Sequence, residues 1–364
     1  MTSASPYAEE LEKGRQSVHR AVILTKTILA AVDKGAVDKH DRTPVTVADF
    51  AAQALLISAV HDAFPNDSFV GEESADMLRR DPDLLERVWQ HVLSAGLEDA
   101  KSKTPLAFPK TKDEMLDIID MGGKGKGGKQ GRIWVLDPVD GTERFMRNQQ
   151  YAVALALLEN GQQKLGILGC PNLNLETGRV VEEIIDRDGY GYMISAVAGQ
   201  GAFTQSMGRD SIASSQIIPK LEEVADLRDL RLVRSKASRT ANTEFPVKVA
   251  ARLTCELTTD VYSAQMHYVA LVVGGCNAIV KMPLRKNRPS KLWDHAGGML
   301  IAEEAGCKVT DLLGNAIDCT VGRKLGGYGM IVAPKGIHAG LLDAVQKVLQ
   351  EEEEKTNQEN ASSM

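Results

Sequence analysis

The sequence predicts a mixed fold, part α+β and part α/β, and three observations predict it. Residues 6–37 place Val18, Val22, Leu24, Ile28 and Leu29 near helical spacing, which reads as one long helix. Residues 132–203 carry successive runs of strand character. From about residue 213, short strands alternate with helical stretches, the pattern of an α/β unit. At 364 residues the chain exceeds the size at which one hydrophobic core stops growing, so one large or two closely packed domains are expected.

Composition narrows the class. The chain is 43% hydrophobic and 25% charged, ordinary values for a globular protein. No apolar run approaches the about 20 residues that span a bilayer. The opening MTSASPYAEELEKGRQ lacks the basic-then-apolar pattern of a signal peptide. The sequence therefore reads as cytoplasmic, with no membrane partner, and a monomer is expected. Its formal charge of −6 argues against nucleic acid as a partner. The five cysteines are scattered without CxxC spacing, as buried thiols in a reducing compartment would be.

In chain order, Thr43-Pro44 breaks the chain after the first helix. Thr46 reads as the N-cap of a second helix, with Asp49 three residues on as a capping-box variant. That helix runs through Ala51, Leu55 and Val60 to Phe64-Pro65. Ser68-Phe69-Val70 is a short extended segment leading into Gly71-Glu72-Glu73-Ser74. Residues 80–120 are polar and mostly helical, with a loop over 101–112. Ile133-Trp134-Val135-Leu136 reads as a fully buried strand, expected to stop at Pro138, which has no N–H for a ladder. Strands follow over 151–158 and 164–169, then a charged, glycine-containing segment over 176–191, then strands to Phe203. Beyond 213, LRLVRS, DVYSA and NAIVKM read as strands, and 245–257 and 266–273 as helices. Residues 294–305 read as a helix stopped by Gly306, and 337–349 as a final amphipathic helix. The chain thus divides into an α+β half over 1–212, an α/β half over 213–350, and a disordered acidic tail over 351–364 with too little apolar content to fold.

One motif is set aside. In MGGKGKGGKQGR, Gly123, Gly128 and Lys129 match part of a phosphate-binding P-loop. The next residue is Gln130, where that motif needs Ser or Thr, and the stretch precedes a strand instead of following one. The basic glycine loop over 122–131 reads as flexible and solvated, able to swing over an anionic substrate.

The chemistry sits in RIWVLDPVDGTERF. Asp137 and Asp140 bracket Pro138 closely enough to repel, which would raise one pKa strongly unless a cation lay between them. An oxygen-only cluster of this kind suits Mg²⁺. Gly141 allows close backbone approach, and Thr142 opens a helix or turn whose free N–H groups face the strand end, where phosphate binds. Turn formation and helix capping are the plain alternative for Asp-Pro and Asp-Gly. Three further acidic sites tip the balance: Glu72 and Glu73 after a glycine, Asp49 at a helix start, and Asp294 after Trp293 at the start of DHAGGMLIAEEAG. Each alone is more often a cap or a solvated acid. Together they are the makings of a multi-metal phosphate site.

These segments resemble the lithium-sensitive, magnesium-dependent phosphomonoesterases, which include inositol monophosphatases, inositol polyphosphate 1-phosphatases and bisphosphate nucleotidases. The family's Asp-Pro-[Ile/Val]-Asp-Gly-Thr stands intact as Asp137 to Thr142, and its Trp-Asp-x-Ala-[Ala/Gly]-Gly as Trp293 to Gly298. Gly71 to Ser74 and Pro44 to Asp49 complete four motifs in order, over about residues 10–350. Within the family, FPNDSFVGEES, GRIWVLDPVDGTERF and LGILGCPNL are most similar to the fungal-type 3′(2′),5′-bisphosphate nucleotidases. The resemblance implies a layered αβαβα sandwich with the site between its halves. It implies hydrolysis of 3′-phosphoadenosine 5′-phosphate to AMP and phosphate, with the phosphosulfate analogue as a further substrate. It also implies two to three Mg²⁺ ions. Glu72, Asp137 and the Val139 carbonyl would hold one; Asp137, Asp140 and Asp294 a second; Asp49, with Glu72 nearby, would touch a third through waters. Asp49 and Thr142 would orient and activate the attacking water. The Gly141 and Thr142 N–H groups would hold the phosphate, and Gln265, His267, Lys281 and Asp294 would bind the rest of the substrate.

The pocket departs from the family pattern. Asp-Ser-Gln-x-Lys-Tyr reads here as Ser263-Ala264-Gln265-Met266-His267-Tyr268. A pocket arginine appears as Lys281, and an expected histidine falls near Ala237. Arg285, Lys286, Arg288 and Lys291 are a basic cluster that either compensates or simply faces solvent. Two alternatives stay open: the same chemistry on an inositol phosphate or another phosphorylated metabolite, and a catalytically weak nucleotide-binding paralogue.

Overall fold

The computed structural model describes residues 5–33, 43–235, 238 and 240–362; Ala237 lies outside them. The first helical run is α1 (Ala8–Asp33), and the second is α2 (Thr43–Ala63). α2 starts earlier than Thr46, because Pro44 sits in the first turn, where a missing N–H leaves no bond unmade. Thr46 is therefore inside the helix and is not its cap.

β1 (Ser68–Gly71) follows, then α3 (Asp76–Arg80), α4 (Pro82–Asp99) and α5 (Lys112–Gly123). Asp81 caps α4 by accepting from the Leu84 N–H, and Thr111 caps α5 by accepting from the Glu114 N–H. α5 takes in Gly122 and Gly123, so the near end of the basic glycine loop is seated, whereas a Cβ on Gly128 or Gly131 would meet nothing within 4 Å. A Cβ on Gly123 would stand 2.1 Å from the Glu73 carbonyl oxygen, and one on Gly125 1.7 Å from that of Phe69. The glycines are there for close approach to the end of β1.

The first sheet is built from β1, β2 (Arg132–Asp140), β3 (Ala152–Glu159), β4 (Gln162–Cys170), β5 (Tyr192–Val197), β6 (Gly201–Ser206) and β7 (Gln216–Ile218), in that spatial order. β1 runs parallel to β2, and the other pairs are antiparallel. The short helix α6 (Thr142–Phe145) follows β2. Alternation divides β2 and β3 between two cores. Trp134, Leu136, Val153, Leu155 and Leu157 meet α1 and α2. Ile133, Val135, Ala154 and Ala156 face the other way.

The second half contains β8 (Arg231–Arg234), β9 (Ala241–Asn242), α7 (Glu244–Leu253), β10 (Glu256–Asp260), α8 (Ala264–Val273), β11 (Ile279–Pro283), α9 (Ala296–Glu304), β12 (Cys307–Thr310), β13 (Met330–Pro334) and α10 (His338–Ser362). Its sheet runs β12-β13-β11-β9, and the parallel pair β10-β8 adjoins it through the Leu232–Ala278 bridge. α8 and α9 share a core with both sheets, while α7 and α10 cover the outer face of the second. The layers are therefore αβαβα, the sandwich expected from the resemblance. Small residues let α9 sit deep between them: a Cβ on Gly166 would stand 2.5 Å from the Gly297 carbonyl oxygen.

Boundaries in the second half differ from expectation as well. The helix over 245–257 stops at Leu253, because Thr254 turns left-handed (φ 57°) and the chain enters β10. DVYSA is not a strand; Asp260 ends β10, and Ser263 caps α8. The last helix runs to Ser362 and takes in the acidic run placed in a disordered tail. Glu351 pairs with Arg252, Glu352 with Lys248 and Glu353 with Lys286, so cations distant in sequence offset the crowded charges. No helix among the described residues is long and apolar enough to cross a membrane. All five cysteines are free, and only Cys255 is not fully buried.

Candidate active site

β2 does not stop at Pro138. It continues to Asp140 with a bulge, so that Asp137 pairs with Ala154 but Asp140 with Ala152. In a regular strand, residues three apart point to opposite faces. The bulge absorbs Pro138, which cannot serve a ladder, and re-aims Val139 and Asp140. Asp137 and Asp140 thereby share one side of the sheet and feel each other's charge. Gly141 then takes φ 101°, and a Cβ there would lie 3.1 Å from the Ser263 Cβ. That close approach brings α8 onto the strand end.

Asp140 is held by the start of α8. Its Oδ2 accepts from Ser263 Oγ at 2.5 Å and from the Gln265 N–H at 2.6 Å, and its Oδ1 from the Ala264 N–H at 3.3 Å. Asp137 Oδ1 accepts from the Val139 N–H at 3.2 Å. Thr142 Oγ1 donates to the Val139 carbonyl at 3.3 Å. Asp49 projects from α2 and is 6% exposed, and its Oδ1 has no hydrogen-bond partner.

Five carboxylates thus face one region. Burial, then the charges of Glu72 and Glu73, holds Asp49 well above the usual carboxylate range. Burial, then Glu72, Asp140 and Asp294, does the same to Asp137. Glu72 is raised by desolvation and by Glu73, Asp294 and Asp140. Its side chain still meets solvent, so charge crowding is the firmer cause. Burial raises Asp294 to about 7 although Lys281 opposes the rise. Among the described residues no three acids are drawn in to metal-ligand spacing; the carboxylates are neighbours around a gap, not a closed cage. An orphaned buried oxygen on Asp49 and an all-oxygen donor set nevertheless fit a hard divalent cation, whose charge would reverse every one of these shifts.

Beside the acids lies a pocket of about 160 Å³, whose lining includes Asp140, Tyr262, Ala264, His267, Lys281 and Asp294. His267, Lys281 and Asp294 are therefore where a substrate residue should be. Gln265 is not. It is fully buried, and its Nε2 donates to the Trp293 carbonyl at 2.9 Å, which ties α8 to the segment bearing Asp294. Nor is His267 a cation. Its Nε2 meets the Val261 carbonyl at 2.9 Å, so that nitrogen carries the proton, and burial pushes its pKa down to about 4. The basic cluster faces outward: Arg285, Lys286, Arg288 and Lys291 are exposed, and Lys286 pairs with Glu353.

Sequence reasoning missed Ser263, His295 and Arg323. A serine one residue before a helical run is a readable N-cap, so Ser263 could have been found. Nothing local marks the other two, whose partners come from distant segments.

The family model that matches the chain, over residues 7–350, is described as the inositol monophosphatase family. The chain belongs to the inositol monophosphatase family. As a member of this phosphatase family it is a phosphoric monoester hydrolase. It is 38% identical over 350 residues to a protein of Emericella nidulans named 3′(2′),5′-bisphosphate nucleotidase, covering 94% of this chain and 99% of the relative. It is 35% identical to a Schizosaccharomyces pombe protein of the same name, covering 91% of this chain and 93% of the relative. Among solved structures it is similar to Mycobacterium tuberculosis SuhB, with TM-score 0.57 at 19% identity, covering 94% of this chain and 97% of that one. This last likeness speaks for the inositol monophosphatase fold alone.

Proposed function

We propose that the protein hydrolyses the 3′-phosphate of 3′-phosphoadenosine 5′-phosphate, giving AMP and phosphate, with Mg²⁺ as cofactor. The observation that carries this reading is the bulged strand end that faces Asp137 and Asp140 toward Glu72, Asp294 and Asp49 beside a pocket containing Lys281. The names of the Emericella and Schizosaccharomyces relatives supply the substrate class.

Glu72, Asp137, the Val139 carbonyl, Asp140 and Asp294 would hold the ions, with Asp49 reaching one through water. Magnesium there supplies positive charge for the phosphoryl oxygens and acidifies water. Asp49 Oδ1, free of other partners, takes up the proton of the attacking water, and Thr142 fixes the Val139 carbonyl through Oγ1. The Gly141 and Thr142 N–H groups orient the phosphate. Lys281 supplies charge for the non-reacting end of the nucleotide, where its single ammonium replaces an arginine fork. The phosphosulfate analogue presents the same 3′-phosphate and is taken as a second substrate.

Phosphate release from a panel of phosphomonoesters, with Mg²⁺ and with added Li⁺, tests the reading. Release from 3′-phosphoadenosine 5′-phosphate, inhibited by Li⁺, is expected. Release from inositol 1-phosphate but not from the nucleotide would move the substrate class. No release from any ester would leave only a nucleotide-binding role.

A further inference from the structure

We propose that Arg323 is a positioning residue for the metal site, holding the Glu72 segment in register with the Trp293–Asp294 corner. The proposal rests on the reading of the carboxylates as a metal site. Arg323 Nη2 donates to the Gly71 carbonyl at 2.5 Å and the Glu72 carbonyl at 3.4 Å. Its Nη1 donates to the carbonyls of Gly122 at 2.9 Å and Gly125 at 3.1 Å. The guanidinium lies over the Trp293 ring, 4.7 Å from its centroid. Its own carbonyl accepts from the Leu292 N–H at 3.2 Å. One residue thus binds the end of β1, the glycine loop after α5 and the strand of chain that leads to Asp294.

The need for such a tie comes from the electrostatics. β1 ends at Gly71, so carbonyls near and beyond that end need donor partners from outside the ladder. Glu72 is also repelled by Glu73, Asp294 and Asp140; Gln53 holds the next residue, Glu73, by its N–H and its carbonyl, while the Gly71 and Glu72 carbonyls are left to Arg323. Arg323 holds Glu72 through the backbone, which leaves the Glu72 carboxylate among the other acids, in contact with Asp137. A planar guanidinium has five donors in a fixed fork, enough for all four carbonyls; an ammonium has three and no fork. Gly122 and Gly125 complete the cradle, since a Cβ on Gly125 would strike the Phe69 carbonyl of β1 and one on Gly122 would crowd Ile57 and Gln53 of α2.

The test uses the full-length protein and Mn²⁺ as the probe ion, counting free Mn²⁺ by electron paramagnetic resonance during titration. Thermal unfolding in EDTA is followed in parallel. Arg323→Lys, which keeps the charge beside Glu72 and so the fold, and Arg323→Met are compared with wild type. Both variants are expected to bind Mn²⁺ about 10- to 100-fold more weakly, the usual effect of losing a group that orients a ligand, with Arg323→Lys unfolding near the wild-type temperature. If wild type binds Mn²⁺ and Arg323→Lys binds it equally well, the proposal is overturned. If wild type itself binds none, the metal-site reading fails first and takes the proposal with it. Should Arg323→Met not fold, Arg323→Lys alone decides.

Discussion

His295 Nε2 stands 3.0 Å from Lys281 Nζ, and its Nδ1 stands 2.8 Å from the Tyr268 hydroxyl. An ammonium can only donate, so Nε2 accepts and Nδ1 carries the proton. The Tyr268 hydrogen then goes to Met330 Sδ, at 2.8 Å. Burial and the Lys281 charge hold His295 well below its ordinary pKa, consistent with that neutral tautomer. The chain of contacts aims one ammonium into the pocket from a fixed base.

Removing the base should loosen substrate binding more than chemistry. His295→Ala is expected to raise KM for the nucleotide about 10-fold, equivalent to about 1.4 kcal/mol, with a smaller change in kcat. A double-mutant cycle with Lys281→Ala should show coupling between the two. Additive effects on KM would mean that His295 does not orient Lys281.

Asp140 is placed for charge, not for packing. Asp140→Asn keeps the size of the side chain beneath α8 and can still accept from the Gln265 N–H. Folding by circular dichroism should be retained, and phosphate release should drop by about 10³-fold or more, as losing a group that acts on the transition state does. Near-normal turnover would refute the role given to the bulged strand.

Gly141 has two reasons to be glycine, its φ of 101° and the 3.1 Å approach a Cβ would make to Ser263. Gly141→Ala is therefore expected to cost roughly 1–3 kcal/mol in denaturant unfolding, with activity reduced because α8 shifts from Asp140. A variant as stable as wild type would show that the turn can relax without consequence.

Acid should weaken the fold through His338. It is buried, meets Thr310 Oγ1 at 3.1 Å, and burial pushes its pKa down to about 4. An unfolded histidine titrates near about 6.5. Between those values the unfolded chain takes up the proton first, so the stability present above pH ~6.5 is lost as pH falls toward ~4. The raised carboxylates of the site act in the opposite sense, so the difference between wild type and His338→Gln isolates the histidine. That difference in Tm should shrink from pH 7 to pH 4.5; a constant difference would contradict it.

Much of the fold is readable in the sequence because it is local. Apolar spacing marks α1, continuous apolar runs mark β3 and β4, and the Gly- and Ala-rich run after Asp294 marks α9. Glu72, Asp137, Asp140 and Asp294 are readable because each stands beside a turn or helix start; Asp49, read in the same way, lies in the second turn of α2. The bulge is not readable. Pro138 looks like a strand end, because a missing N–H stops a regular ladder, and only the pairing with β3 shows that the strand absorbs it. Gln265 is expected in the pocket only through the family pattern, and sequence does not say which face of a helix turns inward. The acidic run of α10 looks unfoldable, because Arg252, Lys248 and Lys286 lie too far away in sequence to be seen as its partners.

The most direct measurement is phosphate release from 3′-phosphoadenosine 5′-phosphate by the purified protein, in Mg²⁺ and again after exchange into EDTA. Rapid release of the 3′-phosphate in Mg²⁺, abolished by EDTA and restored by added Mg²⁺, is predicted. Absence of release in Mg²⁺, or release undiminished in EDTA, would contradict the account.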